Sequence, residues 1–447
     1  MSHGRLLRWS RPGTHEGHTA VYLLVVLTAG AYLPSPLYPE YQAAFGFSDL
    51  MMTWVYAMFA LVSAPTLLLF GPAADAVGPR TVLRVSVAVA AFASACFALA
   101  HDVGWLLAGR AAQGLALGTA TGAATLVITE HTPVSRGRAS VLASMAFVAG
   151  TAAGPIVAGA LAQYAPGPRV LPYLVHLALL AIGWRLVSAL PAPPRRARRW
   201  RPTRPRIPAS MRLRFVAAAA TGFLAWAVAG LFLAVIPSVL DRAARIDNVA
   251  VIGSVVGAVL LCSVLSQPFV ARWGARLAQL MGLGALAISL VALAATGGGS
   301  LSITMVAAAA AGIGHGLAYG GAAASIEAVA PRNQRGAITS ALYLAFYFGS
   351  GGPSVAVGLL TLWHPLDTAI SWLGITAAVF VPLVCIAVVL TTRPATSSPI
   401  RYTASFRPEE DRADGGNEQP APASRAVWQR KHACSRPRSS TQETASR

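Results

Sequence analysis

Gly71-Pro72-Ala73-Ala74-Asp75-Ala76-Val77-Gly78-Pro79-Arg80 interrupts two long apolar runs, residues 51–70 and 82–100. An apolar run of about 20 residues can cross a bilayer as one helix, whereas a segment holding Asp75, Arg80 and Arg84 cannot lie in hydrocarbon. The stretch is predicted to be a tight connection at a membrane surface. Gly71 lets the two helices approach closely and Gly78 permits a sharp turn. Asp75 is placed to face the positive end of a nearby helix or to pair with an arginine.

Composition agrees with a membrane protein. Of 447 residues, 55% are hydrophobic and 11% charged, against about 25% charged in an ordinary soluble domain. The net charge of +19, from 35 Lys and Arg against 16 Asp and Glu, raises nucleic-acid binding as a possibility. The arginines lie in tails and short loops, with no basic helix or aromatic-basic patch of the kind nucleic acid requires, so no nucleic-acid partner is expected. Cys96, Cys262 and Cys385 fall in apolar runs and Cys434 in a polar tail; their spacing indicates neither a disulfide framework nor a zinc site. No metal and no cofactor are expected. Arg5, Arg8 and Arg11 precede an apolar run at 21–39 that is too long for a signal peptide and lacks a cleavage pattern, so it reads as the first spanning helix.

Stretches of 20 or so residues with almost no charge number about twelve. If they alternate in direction, the N-terminal tail, Arg80 and Arg84, Arg136 and Arg138, the arginines between 195 and 214, Arg272 and Arg276, and Arg332 and Arg335 share one side. Glu40, Asp49, Asp102 and Asp367 share the other, with scattered Arg169, Arg242 and Arg245. Basic loops stay inside, so both termini are expected in the cytoplasm and the chain in the cell membrane as a multi-pass protein. The expected division is a cytoplasmic tail at 1–19, a six-helix bundle at 20–190, a basic cytoplasmic linker at 191–212, a second six-helix bundle at 213–392, and a disordered cytoplasmic tail at 393–447.

The two halves repeat. Gln113-Gly114-Leu115-Ala116-x-Gly118, Glu130 with Arg136-Gly137, and Gly150 with Gly154-Pro155 recur as His315-Gly316-Leu317-Ala318-x-Gly320, Glu327 with Arg335-Gly336, and Gly349 with Gly352-Pro353. The offset stays near about 200 residues, as two homologous halves require. Gly274-Ala275-Arg276 likewise matches Gly78-Pro79-Arg80, although Gln267 and Ala271 replace the first Gly and the Asp. This pattern resembles the major facilitator superfamily of transporters, and in particular its 12-helix drug:proton antiporter branch. The resemblance covers about residues 20–392 and implies an all-α membrane protein with 12 transmembrane helices in two pseudo-symmetric six-helix bundles.

The resemblance implies roles. The loop with Gly71, Asp75, Gly78 and Arg80 would latch the halves at the cytoplasmic side, although Ala76 and Pro79 stand where the family has basic residues. Glu130 and Arg136 would join that cluster; independent solvated loop pairs are the alternative. Arg110, with Gln113 and Gly114, looks like the helix-four motif associated with proton coupling. A charge within a span needs a cavity or a partner, and snorkelling to the surface is the alternative. Gly150, Gly154, Pro155 and Gly159 resemble the helix-five motif of exporters; ordinary small-residue packing is the alternative. His315 is the most central titratable candidate for proton transfer, with His176 behind it, and a hydrogen-bonded packing histidine is the competing reading.

Tyr32, Gln113, Trp226, Tyr343 and Tyr347 are the expected substrate contacts, an aromatic lining suited to a bulky lipophilic compound. The expected activity is proton-coupled efflux of a small amphipathic molecule by rocking of the halves, in a monomer whose partners are substrate, protons and the lipid bilayer. A symporter or facilitator importing a nutrient keeps the same fold and reverses the direction. A polytopic membrane enzyme would need clustered carboxylates or metal ligands at a membrane face, which the sequence does not offer.

Overall fold

Among the described residues, apolar runs of 18 to 34 residues form twelve helices long and apolar enough to cross a bilayer. A computed structural model describes residues 12–70, 74, 77–133, 136–191, 207–331 and 334–392, all within one compact unit, Met1–Ala395. In chain order the long helices are α1 Pro12–Tyr32, α2 Asp49–Phe70, α3 Pro79–Ala98, α4 Val103–His131, α5 Arg136–Tyr164 and α6 Leu171–Ser188. They continue as α7 Arg212–Ala234, α8 Val249–Ser266, α9 Pro268–Thr296, α10 Leu301–Glu327, α11 Arg335–Leu360 and α12 Leu366–Thr391. No strand occurs among the described residues. The fold is that of the resemblance, an all-α membrane protein of the major facilitator type.

The first span differs from its expected bounds at both ends. It starts at Pro12, and Glu16 in its first turns meets the ring of His131, at the end of α4, with 2.5 Å between Oε2 and Nε2. It breaks after Tyr32 into a short turn, Ser35–Leu37, and a short helix, Tyr38–Phe45. Pro34, Pro36 and Pro39 lack the N–H that would carry the helix through. The seventh span breaks at the corresponding place: Pro237 opens a separate helix, Ile236–Arg242.

Helix packing shows the internal symmetry directly. In the first half α1 packs on α4, α5 and α6, α2 on α4, and α3 on α4 and α6. In the second α7 packs on α10, α11 and α12, α8 on α10, and α9 on α10 and α12. Adding six to each number converts the first set into the second. The seam between halves consists mainly of two pairs, α2 with α11 and α5 with α8, which the same operation exchanges.

Backbone conformation repeats too. Gly78 adopts φ 86°, ψ 144° and Gly274 adopts φ 81°, ψ 158°, a region that side chains with a Cβ rarely enter. Gly78 turns the chain into α3 and Gly274 kinks α9 near its start, and each has an arginine two residues on, Arg80 or Arg276. Gly71 and Asp75, in the same connection as Gly78, lie outside the described residues.

One end of the bundle carries the arginine-rich connections and the other carries most of the acids. Every described Asp and Glu lies in a connection or within about two turns of a helix end. Arg110 is the buried cation among the described residues.

Candidate functional site

In the first half the polar centre is a cage around Arg110. Its guanidinium donates to the carbonyl oxygens of Ala31 on α1 and of Val55 and Tyr56 on α2, and to Gln113 Oε1 at 2.9 Å. Gln113 Nε2 in turn donates to Gly30 O at 2.8 Å. The cation also lies over the rings of Phe59 and Tyr56, 4.9 and 5.4 Å from their centroids. Arg110 is 0% exposed, which removes snorkelling. The cage ties α1, α2 and α4 together with no carboxylate among the described residues.

His176 is closed in the same sense. Its Nδ1 meets Ser94 Oγ at 2.7 Å and its Nε2 meets Val26 O at 3.0 Å. Its ring fills the space beside Gly30, where a Cβ would come within 2.0 Å.

The second half is built differently. His315 Nδ1 is 2.8 Å from Ser263 Oγ on α8, while its Nε2 has no hydrogen-bond partner. Trp226 on α7 stands edge-on to the His315 ring at 4.7 Å between centroids, and its Nε1 is also unpartnered. Tyr319 stacks on His315 at 5.5 Å and 9°, and Tyr343 stacks on Tyr319 at 6.4 Å and 21°. Phe346 closes this cradle, 5.4 Å from each tyrosine ring.

Phe346 is followed on α11 by Tyr347, whose ring crosses to the first half. Tyr347 contacts Phe59 at 6.2 Å, and Phe59 contacts Tyr32 at 5.7 Å. Beside it Tyr56 and Ser350 share a buried hydrogen bond of 2.8 Å across the α2–α11 seam. Of the expected substrate contacts, Trp226 and Tyr343 belong to the cradle and Tyr347 and Tyr32 to the ring group that adjoins it at Phe346–Tyr347, which together make an aromatic path, while Gln113 is committed to Arg110 and Gly30. Ser263, Tyr319 and Ser350 belong to this centre and carried no signal in the sequence, because a serine or tyrosine in an apolar run is compatible with any helix face.

The α5 stripe splits into two faces. A Cβ on Gly150 would meet Thr28 and Val25 O of α1 at 1.9 and 2.3 Å, and one on Gly154 would meet Ala29 O at 2.4 Å. A Cβ on Gly159 would instead meet Val249 O of α8 at 2.6 Å, and the Pro155 carbonyl faces Gly253 of α8. One side of the helix thus packs within its half and the other forms the seam.

At the acid-bearing end the halves are joined by polar contacts. Arg242 donates to both Asp49 oxygens, at 2.5 and 3.1 Å, and Gln42 Nε2 donates to Asp49 Oδ1 at 2.9 Å. Ser238 Oγ donates to Gln42 Oε1 at 2.9 Å, and Val249 N to Gln163 Oε1 at 2.8 Å. A cleft of about 440 Å³ beside this cluster is lined by Gln42, Asp49, Asp241, Arg242 and Thr361, among others. The sequence offered Asp49 and Arg242 only as loop charges.

At the arginine-rich end Arg80 donates to Ser188 O at 2.6 Å, fastening α3 to the end of α6. Arg84 stacks over Trp184, 4.7 Å from its centroid. Glu130 is exposed one residue from the end of α4, with no ion pair among the described residues. Arg136 opens α5, and its side chain is outside the described set. Ser144 Oγ donates to Gln267 Oε1 at 3.1 Å across the α5–α8 seam.

Comparison with known proteins places this architecture. The family described as Major Facilitator Superfamily matches residues 21–244. The puromycin resistance protein pur8 of Streptomyces alboniger is 35% identical over 171 residues, 38% of this chain and 34% of that protein. The chain thus spans about a third of that relative's length. Among solved structures, a bacterial homologue of the human lysosomal transporter Spinster, inward-facing and unoccupied, gives a TM-score of 0.64 at 17% identity. That match covers 86% of this chain and 97% of the other. The nucleoside transporter NupG gives 0.64 at 13% identity, covering 85% and 100%. At such identities the likeness concerns the fold.

Proposed function

This chain belongs to the Major Facilitator Superfamily, and from that membership we propose that it is a secondary active exporter of a small, bulky, apolar-bodied molecule. The halves, residues 20–190 and 213–392, rock about the aromatic path at their interface. The arginine-rich end is cytoplasmic, following the charge bias of the connections. The acid-bearing end is external, and its Asp49–Arg242 cluster holds the outer mouth shut in this arrangement.

The outward direction rests on α5. Its Gly150–Gly154 face is bound to α1 while its Pro155–Gly159 face forms half of the seam with α8. Small residues on such a face let two backbones slide in contact without interlocked side chains. The relative from Streptomyces alboniger is named for puromycin resistance, which supports outward movement of a cargo of that size. Inward proton movement drives the cycle. His315, mid-span with one ring nitrogen unpartnered, is the proposed proton carrier, and Arg110 is the strut that holds α1, α2 and α4 together in the first half. Asp75, Gly78 and Arg80, with Glu130 and Arg136, form the proposed cytoplasmic latch.

The test is puromycin accumulation in cells stripped of their own exporters, with and without this gene. Lower accumulation that a protonophore abolishes is the expected result. Higher accumulation in energised cells would identify an importer instead.

A further inference from the structure

We propose that the Trp226–His315 corner recognises a planar aromatic molecule through a hydrogen-bond acceptor, and that the site takes neutral or anionic molecules and rejects aromatic cations. This rests on reading the aromatic path as the cargo site and adds the chemical class of the cargo.

The first observation is a pair of unused donors. Buried polar groups in native proteins nearly always have partners. Here Trp226 is 6% exposed and His315 0% exposed, yet Trp226 Nε1 and His315 Nε2 have none. Indole N–H is donor only. The His315 ring is oriented by Ser263, whose hydroxyl has no other acceptor among the described residues than Nδ1. A hydroxyl donating to Nδ1 leaves the hydrogen of a neutral imidazole on Nε2, and a protonated ring carries hydrogen there as well. The two rings are in contact, with centroids 4.7 Å apart, so the two N–H groups belong to neighbouring side chains. The chemistry they lack is an acceptor: a carbonyl, an ether or ring nitrogen, or an anionic oxygen.

The second observation is electrostatic. Aromatic faces alone would attract a cation. In this cradle the facing surfaces of His315, Tyr319 and Tyr343 are spent on one another in a stack, and Trp226 stands perpendicular to the first two. Ring edges and N–H groups carry the positive part of the quadrupole. No described carboxylate lies mid-span, and the buried Arg or Lys among the described residues is the Arg110 cation. A cation would enter without a counter-charge, which is costly in a low-dielectric interior.

Acridone and proflavine test this, since they share a three-ring plane. The first is neutral with a carbonyl acceptor; the second is a cation without one. Binding is read by fluorescence anisotropy on the full chain in lipid nanodiscs, with the signal of empty nanodiscs subtracted. Acridone is expected to bind at least about tenfold more tightly. Trp226→Phe and His315→Phe, which keep ring area and remove N–H, are each expected to weaken acridone about tenfold and leave proflavine unchanged. Proflavine binding as tightly as acridone, neither dye binding, or acridone indifferent to both variants would overturn the proposal. The dye pair decides on the unaltered chain should a variant not fold. Acridone bound selectively but not exported from loaded cells would leave this recognition standing and remove the export reading.

Discussion

The same position of the repeat does opposite things in the two halves. On α4, Gln113 is saturated by Arg110 and Gly30, and Arg110 spends its donors on carbonyls of α1 and α2. On α10 the equivalent of Gln113 is His315, with a free donor, and the equivalent of Arg110 is Gly312. A Cβ at Gly312 would come within 2.2 Å of Val259 O on α8, so α10 and α8 meet by backbone contact at the level where α4 carries a long cationic strut, while one turn on, Gly114 brings α4 comparably close to Phe59 O of α2. Two solutions to helix packing in lipid, polar ties and close small-residue approach, thus sit in one duplicated frame. The half without the arginine keeps its polar side chain unsaturated.

Removing the strut is expected to have the largest effect. Arg110→Ala deletes four hydrogen bonds, each worth roughly 0.6–1 kcal/mol in a membrane interior. Thermal unfolding in detergent should report a loss of about 2–4 kcal/mol. His315→Phe should cost well under half of that, because it deletes one bond, to Ser263, and keeps the ring stack. Equal losses would break the contrast between a structural and a receptive centre.

The two faces of α5 sharpen the comparison further. Gly154→Val drives a branched side chain into Ala29 O, where even a Cβ would stand at 2.4 Å, and should cost about 1–3 kcal/mol by overpacking within the first half. Gly159→Val meets α8 across the seam instead. It should leave the unfolding temperature of the chain nearer to wild type and change how often the acid-bearing end opens. Labelling by a membrane-impermeant maleimide at Ser238→Cys, in a chain without its native cysteines, measures that opening, since Ser238 is buried in the closed end. A Gly154 variant that altered labelling without lowering stability would show that both faces belong to the seam.

Much of this frame was legible in the sequence. Twelve apolar runs, the six-and-six division and the glycine–arginine turns were readable because span length, loop charge and positive-φ glycine each leave a local mark. The cage around Arg110 was not, because its partners are backbone carbonyls of Ala31, Val55 and Tyr56, and a carbonyl has no letter. The splitting of α5 was hidden for a related reason: Gly154 and Gly159 are the same residue, and only their angular position separates α1 from α8. The break after Tyr32 is written in Pro34, Pro36 and Pro39, but the apolar run continues through it to residue 39, so hydropathy alone does not mark it.

The bond between Asp49 and Arg242 was out of reach of any local reading, since 193 residues separate its partners, and it yields the smallest expected effect. Arg242 is about half exposed and Asp49 less so, and such pairs are worth roughly 0.2–1 kcal/mol. Asp49→Asn removes the charge while keeping a group that Gln42 can bond. If the pair holds the end shut, labelling at Ser238→Cys should rise about 1.5- to 5-fold, and more salt should narrow the difference. Arg242→Gln should give a similar rise, and the double variant no more than either alone, since each single change already empties the bond. Additive increases would mean that the two residues act on the mouth separately. Closure would then rest on Gln42 with Ser238 and on the α5–α8 backbone contact, and the polar end would resemble the glycine-packed seam more than the arginine cage.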